Sequence, residues 1–472
     1  GTRDFAEFKE NTERAALSWQ PTDRFSAILK YTYVDSDSNP DRDRVDINRF
    51  LTTGERISPT PSQRDVKSTV QRLILRLRYT FNDALRLESE TTYWNREVSS
   101  GDVGRPPSDG LTRPNEAITQ ELRLHYETDR LRAVGGLFFT DTTLNQATFG
   151  SLPNGLGIRN KFQRTSVNSA IFGEAEYEIR PGLRLIAGAR YDTETTKVTS
   201  GVLEFSNPDP NATLPPDQSG RVTEATYSAF LPKLGLFYDF NENVSLGFVA
   251  QQGYRAGGGG ITIPGNRPFQ YDPEFTDTYE LSLRTNFFDQ RLFANANFYY
   301  TKWKDQQVRV PDPQSTNPQD TITTNAGRST LWGGELEIRA IPTDAFEIYS
   351  SIGYANTEYD DFIFNGQQLA GNDFAGAPDW SGSVGGRYYF ENNLWVALDA
   401  TYQASAFSDV QNTIRQPSRF FVDARIGYEF GNWSIIAYAN SVLNNEIVLS
   451  SDGTTGTVSE PREIGIILQG RF

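Results

Sequence analysis

Apolar and polar residues alternate with a period of two in long segments that are spread over the whole chain. Clear examples are residues 183–192, 394–402 and 420–430. In the first of these, the apolar set is Leu183, Leu185, Ala187, Ala189 and Tyr191, and the polar set includes Arg184, Arg190 and Asp192. A helix would distribute such residues around its circumference, whereas a strand places them on opposite faces. The pattern therefore predicts long β-strands with one apolar face.

The composition of the chain is unusual for a soluble protein. Its 472 residues are only 37% hydrophobic, yet 13% are aromatic. In a transmembrane β-barrel only alternate residues face lipid, the opposite face is polar, and aromatic residues concentrate at both membrane interfaces. No segment contains the run of about 18 apolar residues that a membrane-spanning helix needs. We therefore expect an all-β fold, a transmembrane antiparallel β-barrel.

The connections between the predicted strands alternate in length. Short turns are expected at 21–23, 82–84, 128–129, 181–182, 241–243, 289–290, 342–344, 391–393 and 431–432. Longer segments rich in Gly, Pro, Asn and Asp are found at 39–65, 101–116, 150–163, 201–224, 259–273, 312–320, 363–376, 409–417 and 451–461. Tight turns at one end and long loops at the other are typical of an outer-membrane barrel, and a soluble sandwich would not sort its loops so regularly.

These connections delimit about nineteen strands. The first one, residues 14–21, runs into a short turn, so it descends from the side of the long loops. Bacterial single-chain barrels normally have an even number of strands and begin on the side of the short turns. We therefore expect a barrel of about 22 strands, the size of plugged transporters, whose first three strands precede this sequence. A closed barrel of nineteen strands is the alternative.

Five segments, in this order, resemble the β-barrel domain of TonB-dependent outer-membrane receptors. They are residues 118–143 ("QELRL", then "GGLFF"), 172–197 ("AGARY"), 231–258 ("PKLGLFYDF", then "GYRAGG"), 279–308 ("YELSLRTNFF", then "WKDQ") and 325–340 ("NAGRSTLWGGELE"). The resemblance extends over residues 1–472, which form one barrel domain in this interpretation. The plug domain and the TonB box of the family are not found in the sequence.

The resemblance implies active uptake of a bulky, scarce nutrient across the bacterial outer membrane. Loops would capture the nutrient, and the TonB complex, acting through an N-terminal region, would rearrange the plug. A ferric siderophore is the default small-molecule nutrient, with cobalamin or an oligosaccharide as alternatives. The environment would be outer-membrane lipid and lipopolysaccharide. Two other functions remain open: a passive porin, and a docking barrel for a partner outer-membrane protein.

Strand parity and direction predict which side chains line the lumen near its outer end. On the strand after residue 243, Leu246 and Phe248 would face lipid, so the odd-numbered residues of this strand would face the lumen. Amphipathic aromatic residues beside an arginine suit a bulky ligand with an anionic or amide-rich surface. Contact with a plug, or hydration of the lumen, is the alternative role. The predicted ligand-binding residues are Gln251, Arg255, Tyr299, Trp303, Asp305, Gln307, Tyr349 and Tyr359.

Several other functions are disfavoured. A net charge of −15 argues against nucleic acid as a partner. With no cysteine and one histidine, His125, which is expected near a short turn, the chain offers no thiolate site and no axial ligand for haem in its outer loops. The acidic segment 34–46 has Pro40 where a calcium loop requires glycine. We expect no cofactor and no enzymatic activity.

Other charged residues on the inward parity are expected to form ion pairs or plug contacts. They are Arg184, Arg190, Asp192, Arg425, Glu429 and Arg471. The chain ends on a strand that places Ile464, Ile466, Leu468 and Phe472 on the apolar parity. This strand would close the barrel by pairing with its first strand.

Overall fold

The computed structural model describes residues 9–38, 44–57, 64–102, 111–151, 157–206, 221–262, 268–315, 321–451 and 454–471. Pro40 and Phe472 lie outside these residues, so the predictions made for them are not addressed by the structure. The described residues are almost all in β-strands, together with a helix of 7 residues. No helix in these ranges is long and apolar enough to cross a membrane.

The elements follow one another along the chain in a simple order. The first half contains β1 (Lys9–Thr22), β2 (Phe25–Ser38), β3 (Arg44–Asp46), α1 (Ile47–Thr53), β4 (Arg64–Thr80), β5 (Leu85–Asp102), β6 (Leu111–Glu127), β7 (Leu131–Ser151), β8 (Gly157–Arg180), β9 (Leu183–Ser206), β10 (Arg221–Asn241), β11 (Val244–Arg255), β12 (Gly258–Ile261), β13 (Pro268–Tyr271) and β14 (Glu274–Phe287). The second half contains β15 (Leu292–Pro311), β16 (Thr321–Thr343), β17 (Phe346–Asp361), β18 (Ile363–Phe364), β19 (Gln367–Gln368), β20 (Trp380–Tyr389), β21 (Leu394–Gln403), β22 (Ala406–Phe407), β23 (Arg415–Gln416), β24 (Arg419–Phe430), β25 (Trp433–Asn440), β26 (Val448–Ser451), β27 (Thr455–Val458) and β28 (Glu463–Gly470).

Nineteen of these strands form a single antiparallel sheet, as the sequence predicts. Each strand pairs with the next member along the chain. The order is β1, β2, β4, β5, β6, β7, β8, β9, β10, β11, β14, β15, β16, β17, β20, β21, β24, β25 and β28. Sequential antiparallel pairing needs only hairpin connections, and it satisfies the backbone hydrogen bonds of every interior strand.

One face of the sheet exposes a continuous apolar surface. Phe248, Phe298 and Ile352 are on this face, and each leaves more than two fifths of its surface exposed. On β28, Ile464 and Ile466 are 74% and 70% exposed, which confirms the predicted parity of the last strand for the described residues. Apolar side chains exposed in this way fit contact with hydrocarbon rather than with water.

Aromatic rings border this apolar surface at two levels. At the level towards the long connections, the rings of Trp332, Tyr354 and Trp380 are adjacent, with centroids 5.4 Å and 4.8 Å apart. At the opposite level, Phe346 and Tyr388 lie 6.4 Å apart. Between Phe346 and Tyr354, β17 has about the 9–11 residues with which a tilted strand crosses a bilayer. The strands continue beyond Tyr354, so their outer ends extend past the membrane.

The short turns occur where the sequence predicts them, but several of the long connections contain more structure than expected. The segment 259–273 includes the hairpin β12–β13, and 363–376 includes β18–β19. The segment 39–65 contains β3 and α1 instead of loop only. Strands β9 and β10 also continue into the predicted loop 201–224. Tertiary packing at the outer end orders chain whose polar composition alone predicts a loop.

The two ends of the sheet approach each other at the outer rim. Strand β27, from the last long connection, pairs with β3, from the connection between β2 and β4. We call β3, α1, β26 and β27, together with Arg56, the edge clasp. Since β2 is next to one end of the strand order and β28 is at the other end, this contact shows that the sheet is rolled into a barrel. Within the described residues, β1 pairs only with β2 and β28 only with β25.

The edge clasp combines a small apolar core with one arginine. The core consists of Val45, Ile47, Phe50, Val448 and Val458. Arg56 lies 3.0 Å from Glu446 and 3.8 Å from Glu460, and it also donates a hydrogen bond to the backbone carbonyl of Ser459. Residues from the two ends of the chain are thereby held by both apolar packing and charge.

The direction in which side chains face predicts their tolerance of charge. Ile352→Arg is expected to lower the free energy of unfolding in lipid vesicles by up to about 2–4 kcal/mol, because arginine within the hydrocarbon must be desolvated. Ser351→Arg, on the opposite face of the same strand, should cost much less, since its side chain reaches water. Urea titration of both variants measures the difference, and equal losses would contradict the assignment of faces.

Candidate functional site

The predicted ligand-binding residues do not form one cluster. Arg255 and Gln307 belong to a polar group at the base of the hairpin β12–β13. Trp303 and Tyr359 belong to an aromatic group on β15 to β17, and Asp305 lies between the two groups. Tyr299 and Tyr349 lie nearer the middle of their strands, and Gln251 is exposed on β11.

The polar group is built around a buried carboxylate. Glu274, whose side chain is only 7% exposed, lies 2.9 Å from the guanidinium of Arg255 and accepts a hydrogen bond of 2.6 Å from the backbone N–H of Gln307. The side-chain amide of Gln307 donates to the backbone carbonyls of Ala256 and Asp272. Gln307 therefore fixes the hairpin, whereas the side chain of Arg255 remains 58% exposed and can reach a ligand.

Asp305 interrupts the alternation of β15. Its φ of 54° is in the left-handed region, and the side-chain amide of Asn325 donates to its backbone carbonyl. Asp305 and Gly327 are left unpaired opposite each other, but the register of β15 and β16 is unchanged, because Lys304 pairs with Arg328 and Gln306 with Ala326. Beyond Asp305, Val308 and Val310 join the apolar cluster that contains Tyr359.

The aromatic group forms a row across three adjacent strands. Trp303 on β15 is directly opposite Ser329 on β16, and Ser329 is opposite Tyr359 on β17. The ring of Phe374, from the connection between β19 and β20, covers this row, with centroids 6.0 Å from Trp303 and 4.9 Å from Tyr359. Tyr359 is 2% exposed, and burial raises the pKa of its phenol to about 12.

The segment that carries Phe374 is held by hydrogen bonds on both sides. The N–H of Phe374 donates to the hydroxyl of Thr357 over 3.0 Å. The backbone N–H of Asp373 donates to the side-chain oxygen of Asn412, and the side-chain amide of Asn412 donates to the backbone carbonyl of Asp373. These two hydrogen bonds join the segment to the loop between β22 and β23. We call residues 372–378 the cover segment. It lies beyond Tyr354, outside the membrane-spanning part of the strands.

Two of the remaining predicted residues have structural partners. The phenol of Tyr299 donates to the backbone carbonyl of Tyr354 over 3.3 Å, and Tyr349 donates to the carboxylate of Asp399. Both hydroxyls therefore connect neighbouring parts of the wall. For Gln251 no hydrogen bond is observed among the described residues, so its amide is free to contact a ligand.

Comparison with known proteins identifies the family. The model of the family "TonB dependent receptor-like, beta-barrel" matches residues 16–442. This chain belongs to the TonB-dependent receptor β-barrel family. Since the barrels of this family are outer-membrane proteins, the protein is located in the bacterial outer membrane.

Individual relatives are distant in sequence but close in fold. The chain is 24% identical over 312 residues to "Probable TonB-dependent siderophore receptor PiuA" of Acinetobacter baumannii, which covers 61% of this chain and 38% of that protein. It is 22% identical over 439 residues to "Metal-pseudopaline receptor CntO" of Pseudomonas aeruginosa, covering 85% and 58%. The crystal structure of the ferric yersiniabactin uptake receptor FyuA of Yersinia pestis matches with a TM-score of 0.80 and 16% identity, over 98% of this chain and 70% of that one. The chain thus spans 38–58% of the length of these two curated relatives.

Charged side chains on the inner face of this TonB-dependent receptor barrel form ion pairs, as expected for part of the predicted set. Arg184 bridges Glu176 and Asp239 at 3.2 Å and 3.3 Å, and Arg190 lies 2.6 Å from Asp192 on the same strand. Within the described ranges, no ion pair is observed for the other three predicted residues, Arg425, Glu429 and Arg471. His125 lies 3.3 Å from Glu88, low on the inner wall.

Sequence reasoning missed three residues of the candidate site. Glu274 is the first residue of β14, and nothing in the neighbouring sequence indicates that its carboxylate is buried. Ser329 could have been found from parity, because it faces the same side as the predicted Tyr359. Phe374 lies in a polar connection, and only the tertiary fold brings it to Trp303. In the part of the receptor barrel that the structure describes, no group of three His, Cys, Asp or Glu side chains is placed to hold a metal ion.

The cover segment should respond to pH. Burial and the nearby Asp379 raise the pKa of Asp373, although Arg415 opposes this shift. The protonated form is therefore favoured in the folded segment, and its stabilising contribution is full below the ordinary aspartate pKa and is lost as pH rises through the raised value. Hydrogen exchange at residues 373–376, corrected for intrinsic rates, should show tighter closure in acid. Asp373→Asn should remove this dependence, and a persistent dependence would contradict the assignment.

Proposed function

We propose that the protein imports a bulky, scarce nutrient through the outer membrane by the TonB-dependent route, and that the nutrient is a ferric siderophore. The observation that carries this proposal is a site at the outer end of the inner wall in a barrel of this family. An exposed arginine, Arg255, lies at the same rim as the aromatic group of Trp303 and Tyr359. The names of the relatives, which include siderophore, metal-pseudopaline and ferric yersiniabactin receptors, support the same class of cargo.

Arg255 is suited to the first contact with an anionic chelate. Its partner Glu274 is buried and fixes the guanidinium by an ion pair of 2.9 Å, while most of the arginine side chain remains in solvent. A fixed guanidinium presents further N–H donors to a carboxylate or phenolate oxygen. Aromatic rings below it provide apolar contact area. Gln251, Arg255, Trp303 and Tyr359 are therefore the residues that we propose for ligand binding, with Tyr299, Asp305, Gln307 and Tyr349 supporting the wall.

We further propose that the described sheet is part of a larger barrel. Strands β1 and β28 each have a free edge in the described residues, and unpaired backbone groups in hydrocarbon cost several kcal/mol each. Additional strands, to a total of about 22, would satisfy both edges. A plug within the lumen and contact with the TonB complex complete the proposed transporter, with lipopolysaccharide around its outer rim. The protein would move its cargo unchanged, with no enzymatic step.

Loss of the proposed contacts should reduce uptake without preventing assembly. Arg255→Ala and Trp303→Ala in the complete receptor are each expected to lower the rate of uptake of a ferric siderophore about tenfold at limiting concentration, since each removes a charge-assisted or aromatic contact. Radiolabelled iron measures uptake, and heat-modifiable migration in gels measures assembly. Arg328→Ala, which removes an exposed arginine from the outer surface, is the matched control. Normal uptake in both site variants would contradict the proposed site.

Energy dependence separates the proposed transporter from a pore. Uptake should stop when the proton-motive force is dissipated or when TonB is deleted, while binding of the chelate at the cell surface should remain. A passive porin would continue to admit its solute under both conditions and would show steady single-channel conductance. Such behaviour would rule out the proposed mechanism.

A further inference from the structure

Two buried hydrogen-bond donors at the outer end of the inner wall lack partners among the residues that the structure describes. They are the indole Nε1 of Trp303 and the hydroxyl Oγ of Ser329. Ser329 is only 1% exposed, so water does not readily replace the missing partner. Buried polar groups are almost always paired in native proteins, because an unpaired one costs free energy. Two such groups directly opposite each other on adjacent strands indicate a site whose hydrogen-bond acceptors come from a bound ligand.

The ring of Phe374 occupies the space in front of these donors. It contacts Trp303 on one side and Tyr359 on the other, so it lies over Ser329, the middle member of the row. A hydrocarbon ring fills the volume and packs well against the aromatic neighbours. It offers no oxygen to the indole N–H or to the serine hydroxyl. Phe374 therefore fills the apolar space but leaves both donors without an acceptor.

The attachment of Phe374 allows it to leave. The backbone of the preceding segment is fixed to β17, because the N–H of Tyr359 donates to the carbonyl of Asn372 and the N–H of Gly371 donates to the carbonyl of Tyr359. Beyond Asn372, the cover segment is held at Asp373, Phe374 and Gly376 by hydrogen bonds to Asn412, Thr357 and Phe407. A short rearrangement of 373–376 would free the ring without displacing Leu369 or Phe362 from the apolar cluster.

We propose that the row of Trp303, Ser329 and Tyr359 binds an aromatic ring substituted with oxygen, a phenolate or catecholate of the cargo, and that Phe374 occupies this place when the cargo is absent. The incoming ring takes the position between Trp303 and Tyr359. Its oxygens accept hydrogen bonds from the indole N–H and from the serine hydroxyl. This inference rests on the proposed function and adds the chemical class of the cargo.

The test compares an aromatic with a non-aromatic iron chelate on the complete receptor purified from outer membranes. The probes are the ferric complex of 2,3-dihydroxybenzoate and the ferric complex of acetohydroxamate, and calorimetry measures their dissociation constants. Phe374→Ala should bind the catecholate about tenfold more tightly than the unchanged receptor, because a competing ring has been removed. Phe362→Ala is the matched control, since it removes another ring from the same cluster but leaves Phe374 in place; it should show no gain.

Removal of the donors should have the opposite effect on binding. Ser329→Ala and Trp303→Phe, each combined with Phe374→Ala, should weaken catecholate binding about tenfold and leave acetohydroxamate binding unchanged. Ser329→Ala alone should leave the temperature of unfolding unchanged or raise it, because the hydroxyl has no partner to lose. A lower unfolding temperature would show that the hydroxyl is hydrogen-bonded in the protein and would overturn the inference.

The remaining outcomes separate this inference from the proposed function. If Phe374→Ala gives no gain, or if the donor variants bind the catecholate as tightly as their parent, the assigned ring site is wrong. If the receptor binds and imports only the hydroxamate, siderophore uptake stands and the aromatic class is wrong. If it binds neither chelate, both the proposed function and this inference fail.

Discussion

The structure depends on the requirement that every backbone N–H and C=O within hydrocarbon has a partner. Nineteen antiparallel strands meet this requirement by pairing each with the next along the chain. Tight turns at one end suit the same requirement, since a short hairpin leaves few backbone groups outside the ladder. The pleat of each strand then determines where polar and apolar side chains lie, because alternate side chains point to lipid and to the lumen.

Beyond the outer aromatic level this requirement ends, because the strands project into water. Here the chain can break its ladder, and it does so at Asp305 and at β17 opposite Arg328. At Asp305 the register of β15 and β16 is unchanged, whereas β17 has one extra residue opposite Arg328 and Ser329. Val308 and Val310, which follow Asp305, pack in an apolar cluster above the membrane. The candidate site therefore lies where the strands are still paired, so that they position side chains, but where local irregularities change the direction of some of those side chains.

Much of this arrangement could be predicted from the alternation alone. The strand number, the turns and the outward direction of residues such as Ile464 follow from a local pattern. The site could be predicted only in part, because Trp303 and Tyr359 were identified by parity but Phe374 reaches them through a fold of polar chain. Parity does not predict the left-handed conformation of Asp305 or the hydrogen bonds by which Gln307 holds the base of the hairpin. Contacts between distant segments leave no periodic trace in the sequence.

The edge clasp has a consequence for biogenesis. Arg56 and its partners Glu446 and Ser459 are separated by 390 and 403 residues, so this contact cannot form until the strands between them have been synthesised. The entropic cost of closing so long a loop grows only slowly with its length. Val45, Ile47 and Phe50 pack against Val448 and Val458, so the burial of this small core depends on the last long connection of the sheet being in place.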